Sequence, residues 1–593
     1  MRATARHVSR LLVLLAIGCC LAAVVVALTG GATLQAGALR LRSHDPLRPL
    51  MLAAVFLALA AWRGGGTVAE ALTWLWATLE QGAALSAAVL AVLVVAAGVH
   101  WGAFVAGGSD SYCYLNQAEL FARGAVHDYE PLAADRTWPG NVWSFVPAGH
   151  MPLGAPVPVL APICPSGYPL IMAAARSVGG RNAMFWITPL MGGVAVWLMF
   201  TLGRMLGGGA AGLLASVLAA VSPTFLYQLF QPMNDVTAAA LWLAASVAAL
   251  RAHASGTRGA IVAGLLTAAA LVVRPNLVPL AAMAALAVVL PGPERPWRQR
   301  WMAAATFAAA AALGPIVVLL LQNAIYGSPF KSGYGDLDRL FSAAHVAPNV
   351  QRYVRWVLET QTPLILASLA APFLLRSRDG RRQALWLLAF AAATLACYLP
   401  YVVFDAWWYT RFLLPGLLPL LVLSACTIAS AMLRLPAVLR FPVAVICIGA
   451  FATVQLQTAA ERDAFRLREL EWRFRSAGEF AATLPANAAF ITLHQSGSIR
   501  FYAGRSTLGW ADIDKGRLDD AVQFVRRHGR KPYLLFEPWE EPQFRQRFAG
   551  ERLGGLGWPA AFEIDGVRIY DPDDYERVQR GEVARTQRIE WPR

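Results

Sequence analysis

About thirteen apolar runs of near membrane-spanning length recur along the chain, and a sequence built this way has few folds open to it. They fall at 11–28, 49–63, 82–105, 183–203, 208–222, 235–252, 259–273, 276–291, 301–322, 363–376, 384–403, 412–433 and 437–458. A bilayer core of about 30 Å is crossed by about 20 apolar residues in a helix, so several of these runs are short. Without water in that core, each backbone group must be satisfied inside its own helix. Composition agrees: 57% of residues are hydrophobic and 15% charged, where soluble proteins carry about 25% charged residues. The sequence predicts a mainly α, polytopic helical bundle.

Charge sets the expected orientation. Arg2, Arg6 and Arg10 precede the first run, 11–28, which reads as an uncleaved anchor rather than a removed leader. With the N-terminus inside, the short inner loops hold Arg63, Arg204, Arg251 with Arg258, then Arg295, Arg298 and Arg300. Arg376, Arg378, Arg381, Arg382, Arg434 and Arg440 complete the set. Every short inner loop is thus basic, as the positive-inside rule requires. Arg40, Arg42 and Arg48 in the first outer loop are the exception. The formal net charge of +15 follows from these loops. No basic stripe is interleaved with aromatics, so nucleic-acid binding is not expected.

The same parity assigns loops 106–182 and 323–362, and everything after about 460, to the outer side. The chain is expected to divide into a membrane domain, 1–459, and a small extracytoplasmic α/β domain, 460–593. The latter opens on the charged helical stretch ERDAFRLRELEWRFRSAGEF and continues through strand-like AAFITL, PYLLFE and FEIDGVRIYD. Five of the seven cysteines lie in apolar runs and read as packing residues. Cys113 and Cys164 share the polar loop 106–182. In an oxidising compartment they are expected to form a disulfide, against the alternative of two free thiols.

Candidate chemistry gathers at the outer mouths of the helices. In GGSDSYCYLNQAELFARG, Asp110 leaves a membrane helix and opens a short amphipathic stretch suited to the interface. An acidic group there is costly without a task or a partner, yet Asp before a helix is also a preferred N-cap. Asp235 in QPMNDVTAAALWLAA, Arg274 in LVVRPNLVPL, Lys331 in NAIYGSPFKSGYGD and Arg411 in DAWWYTRFLLP share that side. Capping by Asp235 and snorkelling by the arginines are the plain alternatives for each residue alone. His127, Asp128, Asp135 and His150 match no metal-binding spacing. No cofactor is expected with certainty, and a divalent metal stays open.

Taken in order, Asp110, CPSGYPLIMA, PMNDVTAAALWLA, VRPN, YGSPFKSGYG and WWYTRFLLP resemble the integral-membrane glycosyltransferases of the GT-C superfamily. The nearest group comprises bacterial relatives of protein O-mannosyltransferases and aminoarabinose transferases, and the likeness covers most of 80–430. Many of these enzymes carry an Asp-Glu pair in the first outer loop; here Asp110 is followed by Ser111, which leaves the acceptor open. The resemblance implies a multi-pass protein of the bacterial inner membrane. It implies transfer of a sugar from a polyprenyl phosphate or diphosphate to an acceptor hydroxyl on the outer face. Because phosphate is already a weak base, such a reaction needs one carboxylate to deprotonate the acceptor and cations to hold the departing charge. Inversion by single displacement is implied, with Asp110 as base and Arg274, Lys331 and Arg411 as candidate phosphate clamps. Asp235 joins the substrate-binding set, and Tyr334 and Trp408 are placed to stack on sugar or line a lipid groove. The implied partners are a polyprenyl-linked donor, membrane lipids and an unidentified glycan, lipid or protein acceptor. A transporter or flippase, and a scaffold presenting the tail, are the rival readings.

Overall fold

Breaks in the helices shape this bundle as much as the helices do. The computed structural model describes residues 2–29, 32–36, 39–43, 45, 47–62, 65–135, 138, 141–154, 159–289 and 296–592. Arg63 and Arg295, two of the inner-loop arginines, lie outside the described residues. The described residues of all thirteen apolar runs are largely helical. Only seven helices among the described residues are long and apolar enough to cross a membrane, or nine if each of two bent pairs counts as one span. The protein is a multi-pass membrane protein.

One break builds the centre of the molecule. Asn234–Val273 is a continuous helical stretch except at Gly256, whose φ of 61° and ψ of −143° no helix accommodates. Glycine reaches such angles without a Cβ penalty. The chain therefore turns back, and Asn234 Nδ2 donates to the Val273 carbonyl at 3.2 Å across the hairpin. Two residues at opposite ends of the stretch, Asp235 and Arg274, are thereby brought side by side. The returning arm packs closely on Trp297–Tyr326. A Cβ on Gly264 would lie 2.6 Å from that of Ala310, and one on Gly314 2.7 Å from the Ala268 carbonyl oxygen. Small residues let backbones approach like this in membranes, where helices gain little from hydrophobic exclusion.

Depth in the bundle follows residue type. Trp407–Met432 and the arm Asn234–Ala252 are mostly buried, around Trp242, Phe390 and Leu421. Val68–Trp101, Trp297–Tyr326 and Ala437–Glu461 are peripheral, and the second of these bares Leu313, Ile316, Val317 and Leu320. A sharper bend, 98°, separates Ala343–Gln361 from Pro363–Leu374. Thr362 at the corner has a φ of 57°, and Pro363 prevents the first helix from continuing.

The tail forms a six-stranded mixed sheet. In chain order its strands are β1 (Ala488–Ile491), β2 (Ser506–Leu508), β3 (Lys531–Phe536), β4 (Phe562–Ile564), β5 (Val567–Tyr570) and β6 (Gln587–Ile589), arranged β6-β4-β5-β3-β1-β2. The three strand-like pieces of the sequence supply β1, β3, β4 and β5. Pairing is parallel in β2-β1-β3 and antiparallel in β3-β5-β4. Leu132 and Phe145 from loop 106–182 are packed into the apolar core of this sheet with Leu508, Trp510 and Phe524. Loop and tail thus share one core.

A buried ion pair fastens that joint. Glu130 and Arg500, 1% and 9% exposed, meet at 2.5 Å. Ser506 donates to Glu130 at 3.0 Å, and Arg500 also donates to the Phe145 carbonyl at 3.0 Å. Removing one partner leaves the other charge buried without compensation. Glu130→Ala is therefore expected to destabilise the folded protein by about 3–5 kcal/mol, measured as thermal unfolding in detergent, with Glu130→Gln milder.

Candidate active site

The loop 106–182 enters through Gly107 and Gly108 and then starts the helix Asp110–Ala122. The N-cap residue is Ser109, which makes no side-chain capping bond, so Asp110 is the first residue of the helix and not its cap. A carboxylate there is favoured by the helix dipole. The sequence reads this stretch as a short amphipathic helix suited to the interface. Instead Tyr112, Cys113, Tyr114, Leu115, Asn116, Gln117, Ala118 and Leu120 are all buried, because the second loop helix (Gly167–Gly179) and the tail cover it. Cys113 and Cys164 are joined by a disulfide with Cα atoms 6.1 Å apart, tying this helix to the segment before Gly167.

Two Asp–Arg pairs define the site. Arg411 donates through Nη2 to Oδ2 of Asp110 at 2.8 Å; the aspartate side chain is 45% exposed and the arginine 12%. Arg274 donates to Oδ1 of Asp235 at 2.7 Å and to Asn234 at 3.3 Å, with both members of the pair buried. The ring of Phe412 packs against both guanidinium groups, 5.3 Å from Arg274 and 5.1 Å from Arg411. Such cation–π contacts partly compensate for lost water. Nη1 of Arg274 and Nε of Arg411 are nonetheless buried without a hydrogen-bond partner among the described residues.

Beside these pairs lies a cavity of about 330 Å³, lined by Arg274, Asn276, Tyr114, Tyr334, Tyr398 and Tyr401 among others. Asp110 does not line it but stands within electrostatic range of Tyr114, Tyr334 and Tyr401. One wall is Val318, Leu321, Gln322 and Tyr326 of the peripheral helix. The loop carrying Tyr334 lies close against the opposite segment: a Cβ on Gly333 would sit 2.3 Å from Cα of Ile163, a space only glycine leaves open. Asn349 donates to the carbonyls of Leu399 and Tyr401 at 3.0 and 2.6 Å and so fixes the turn that presents Tyr398 and Tyr401.

The remaining sequence-derived candidates are placed differently. Lys331 is exposed and does not line the cavity, although its neighbours Ser332 to Tyr334 do. Trp408 is outside the cavity, stacked on Tyr227 with centroids 6.2 Å apart. His127 bonds to the Ile325 carbonyl and Asp135 to His528, at 2.7 and 2.9 Å. Among the described residues no three His, Cys, Asp or Glu side chains gather as a metal-ligand set. Asn276 closes the VRPN motif but has no role in the sequence reading, and Tyr398 and Tyr401 have no signal beyond their nearness to WWYTRFLLP.

Comparison with known proteins bears on this architecture. Residues 165–319, which include Asp235 and Arg274, match the family described as dolichyl-phosphate-mannose-protein mannosyltransferase. No curated protein sequence matches the chain. Among solved structures, apo ArnT from Cupriavidus metallidurans is similar at 13% identity over 78% of this chain and 94% of that one, with a TM-score of 0.50. The archaeal oligosaccharyltransferase AglB from Archaeoglobus fulgidus gives 11%, 81%, 73% and 0.49. The arabinofuranosyltransferase AftD from mycobacteria gives 15%, 85%, 43% and 0.48. The fold is that of the GT-C superfamily of integral-membrane glycosyltransferases.

Two measurements test how the first loop helix is held. His150 is buried, and its Nε2 lies 2.8 Å from Asn116 Nδ2. Burial lowers its pKa from 6.5 to about 4, outweighing the opposing effect of the Ala148 carbonyl. The folded state thus keeps the ring neutral, and the unfolded chain takes up the proton first. Stability should be fully present above pH 6.5 and fall as pH drops towards 4, by up to about 3 kcal/mol, and His150→Gln should flatten that slope in thermal unfolding. The Cys113–Cys164 bridge closes a separation of 51 residues. Replacing both cysteines with serine should cost about 4 kcal/mol of stability in the same assay, and neither thiol should label in unreduced protein.

Proposed function

We propose that this protein transfers a sugar from a polyprenyl phosphate or diphosphate to an acceptor hydroxyl, on the outer face of a bacterial inner membrane. The observation that carries this reading is the pair of buried guanidinium N–H groups, on Arg274 and Arg411, that have no partner among the described residues. A buried donor without a partner costs about 1–3 kcal/mol, a cost that a bound oxyanion removes. Phosphate oxygens suit these donors, since hydrogen bonds between charged groups are about twice as strong as neutral ones. The family matched at 165–319 is described by a dolichyl-phosphate-linked sugar, the same donor chemistry. The basic inner loops and the single-sided gathering of Asp110, Asp235, Arg274 and Arg411 support the outer face.

Asp110 differs from Asp235 in a way that assigns its role. Asp235 is wholly buried against Arg274, whereas Asp110 keeps nearly half its surface open and Oδ1 outside its bond to Arg411. Asp110 accepts the proton of the acceptor hydroxyl as that oxygen attacks the anomeric carbon. The bond from that carbon to the phosphate oxygen breaks with its electron pair remaining on phosphate. Configuration at the anomeric carbon inverts in this single displacement. Arg274 and Arg411 hold the growing negative charge, which is worth most where water is excluded. Asp235 and Asn234 keep Arg274 aimed. A transporter reading has less support, because the four charges stand at helix ends rather than within the spans.

With a radiolabelled polyprenyl-phosphate sugar as donor, Asp110→Asn should cut transfer by roughly 10²–10⁴-fold in protein that still unfolds cooperatively, at some cost in thermal stability because Arg411 loses its counter-charge. Near-normal turnover would remove Asp110 from the role of base. Arg411→Ala should lower kcat and donor affinity together, because leaving-group charge grows towards the transition state. Arg274→Lys is the better probe at the buried pair, since it keeps Asp235 compensated while removing the fork geometry. Unchanged kinetics in both arginine variants would place the clamp elsewhere.

A further inference from the structure

A second cluster, contributed mostly by the tail, approaches the loop that carries Asp110. Glu471, in the helix Leu467–Thr483, rests on Gly107: a Cβ there would lie 2.6 Å from its Oε2 and 2.7 Å from the ring of Phe474. Among the described residues no hydrogen bond or ion pair reaches the Glu471 carboxylate, although Arg473, His494 and Glu537 are within electrostatic range. Phe474 packs against His494 with centroids 5.0 Å apart, and His494 against Trp539 at 5.4 Å. On the membrane side, Tyr227 senses the charges of both Glu471 and Arg411, and stacks on Trp408. Trp408 and Trp539 are part-exposed, 39% and 47%.

His494 is held as a defined hydrogen-bonding group. Its Nδ1 lies 2.9 Å from Oε1 of Glu537. Burial alone would raise the pKa of Glu537, but the bond from His494 and the charge of Arg473 push it down to about 2. An ionised carboxylate only accepts, so the proton sits on Nδ1 and Nε2 has no partner among the described residues. Glu537 takes three further bonds, from Gln495 at 3.1 Å, from Arg473 Nε at 3.1 Å and from the Trp539 indole at 2.9 Å, the last of which also fixes that ring. Glu540 braces the same turn by accepting from the backbone N–H groups of His494 and Glu537.

Flat aromatic faces beside unpartnered hydrogen-bonding groups are what a sugar ring needs: its C–H face stacks on an indole while its hydroxyls reach a carboxylate and an imidazole. A peptide would instead call for backbone partners such as an open sheet edge. We propose that Glu471, His494, Trp539, Trp408 and Tyr227 form the acceptor site beside Asp110, and that the acceptor is a saccharide. Its reactive hydroxyl faces Asp110, and its remaining hydroxyls are bound by Glu471 and His494. This rests on the transferase reading above, and it narrows the acceptor to a carbohydrate.

The test is saturation-transfer NMR on the detergent-solubilised full chain, with maltotriose, chitobiose and a hexapeptide of Ser, Thr and Ala as probes. Thermal shift with undecaprenyl phosphate in the same preparations follows the donor site separately. Saturation of at least one sugar probe is expected, weakened about tenfold in apparent affinity by Trp539→Ala and by the near-isosteric Glu471→Gln. Both variants should retain the parental shift with undecaprenyl phosphate. The proposal is overturned if neither sugar receives saturation, if both variants keep it, or if the peptide receives it in place of the sugars. Failure of undecaprenyl phosphate to shift the parent protein would count against the donor reading alone, because the sugar measurement needs no donor.

Discussion

Keeping charge inside an apolar bundle is the constraint on which this structure turns. A carboxylate and a guanidinium are expensive to take out of water, and each is tolerated far better beside the other. Asp235 and Arg274 meet that condition because Gly256 folds one helical stretch back on itself. Asp110 and Arg411 meet it across 301 residues of chain. Phe412 lies against both cations, so the two pairs and one ring make a single unit. Moving any member would strand a charge, which gives the centre a rigidity that small residues and helix packing alone would not provide.

The tail extends that logic to the water-facing end of the bundle. It is not simply tethered: Leu132 and Phe145 of the loop belong to its core, and Glu130 and Arg500 lock the seam. The helix that begins with Asp110 is therefore clamped by a disulfide, by the neighbouring loop helix and by the tail at once. In the proposed reaction, whose leaving group is already good, a base needs its position fixed more than its basicity raised. The packing supplies that position.

How much of this the sequence made legible depends on range. The apolar runs, the helical stretch after 460 and four of the six tail strands stand out because each depends on residues close in sequence. Strands β2 and β6, three residues each and, unlike β4, not half of a hairpin with a turn signal, leave no pattern and form only because β1 and β4 offer edges. Asp110, Arg274 and Arg411 attract notice as charges beside apolar runs. Which partner each takes was not readable, since pairing depends on a hairpin at Gly256 and on contacts hundreds of residues apart. Lys331 shows the reverse error: a lone lysine in a glycine-rich loop looks purposeful, yet the loop turns its backbone and Tyr334, rather than that ammonium, to the cavity. The Glu537–His494 arrangement left no trace in the sequence, because its members come from separate turns of the tail.

The peripheral helix Trp297–Tyr326 has one further consequence. It presents Leu313, Ile316, Val317 and Leu320 outward while Val318, Leu321, Gln322 and Tyr326 line the cavity. The wall between the cavity and the surrounding lipid is thus a single helix thick. A lipid-borne ligand meets such a wall by sliding within the plane of the bilayer, without passing through water. Its occupancy then follows its mole fraction among the lipids rather than its bulk molarity. Adding inert lipid or detergent would dilute the ligand at constant total concentration, and saturation curves would superimpose only when plotted per unit of membrane.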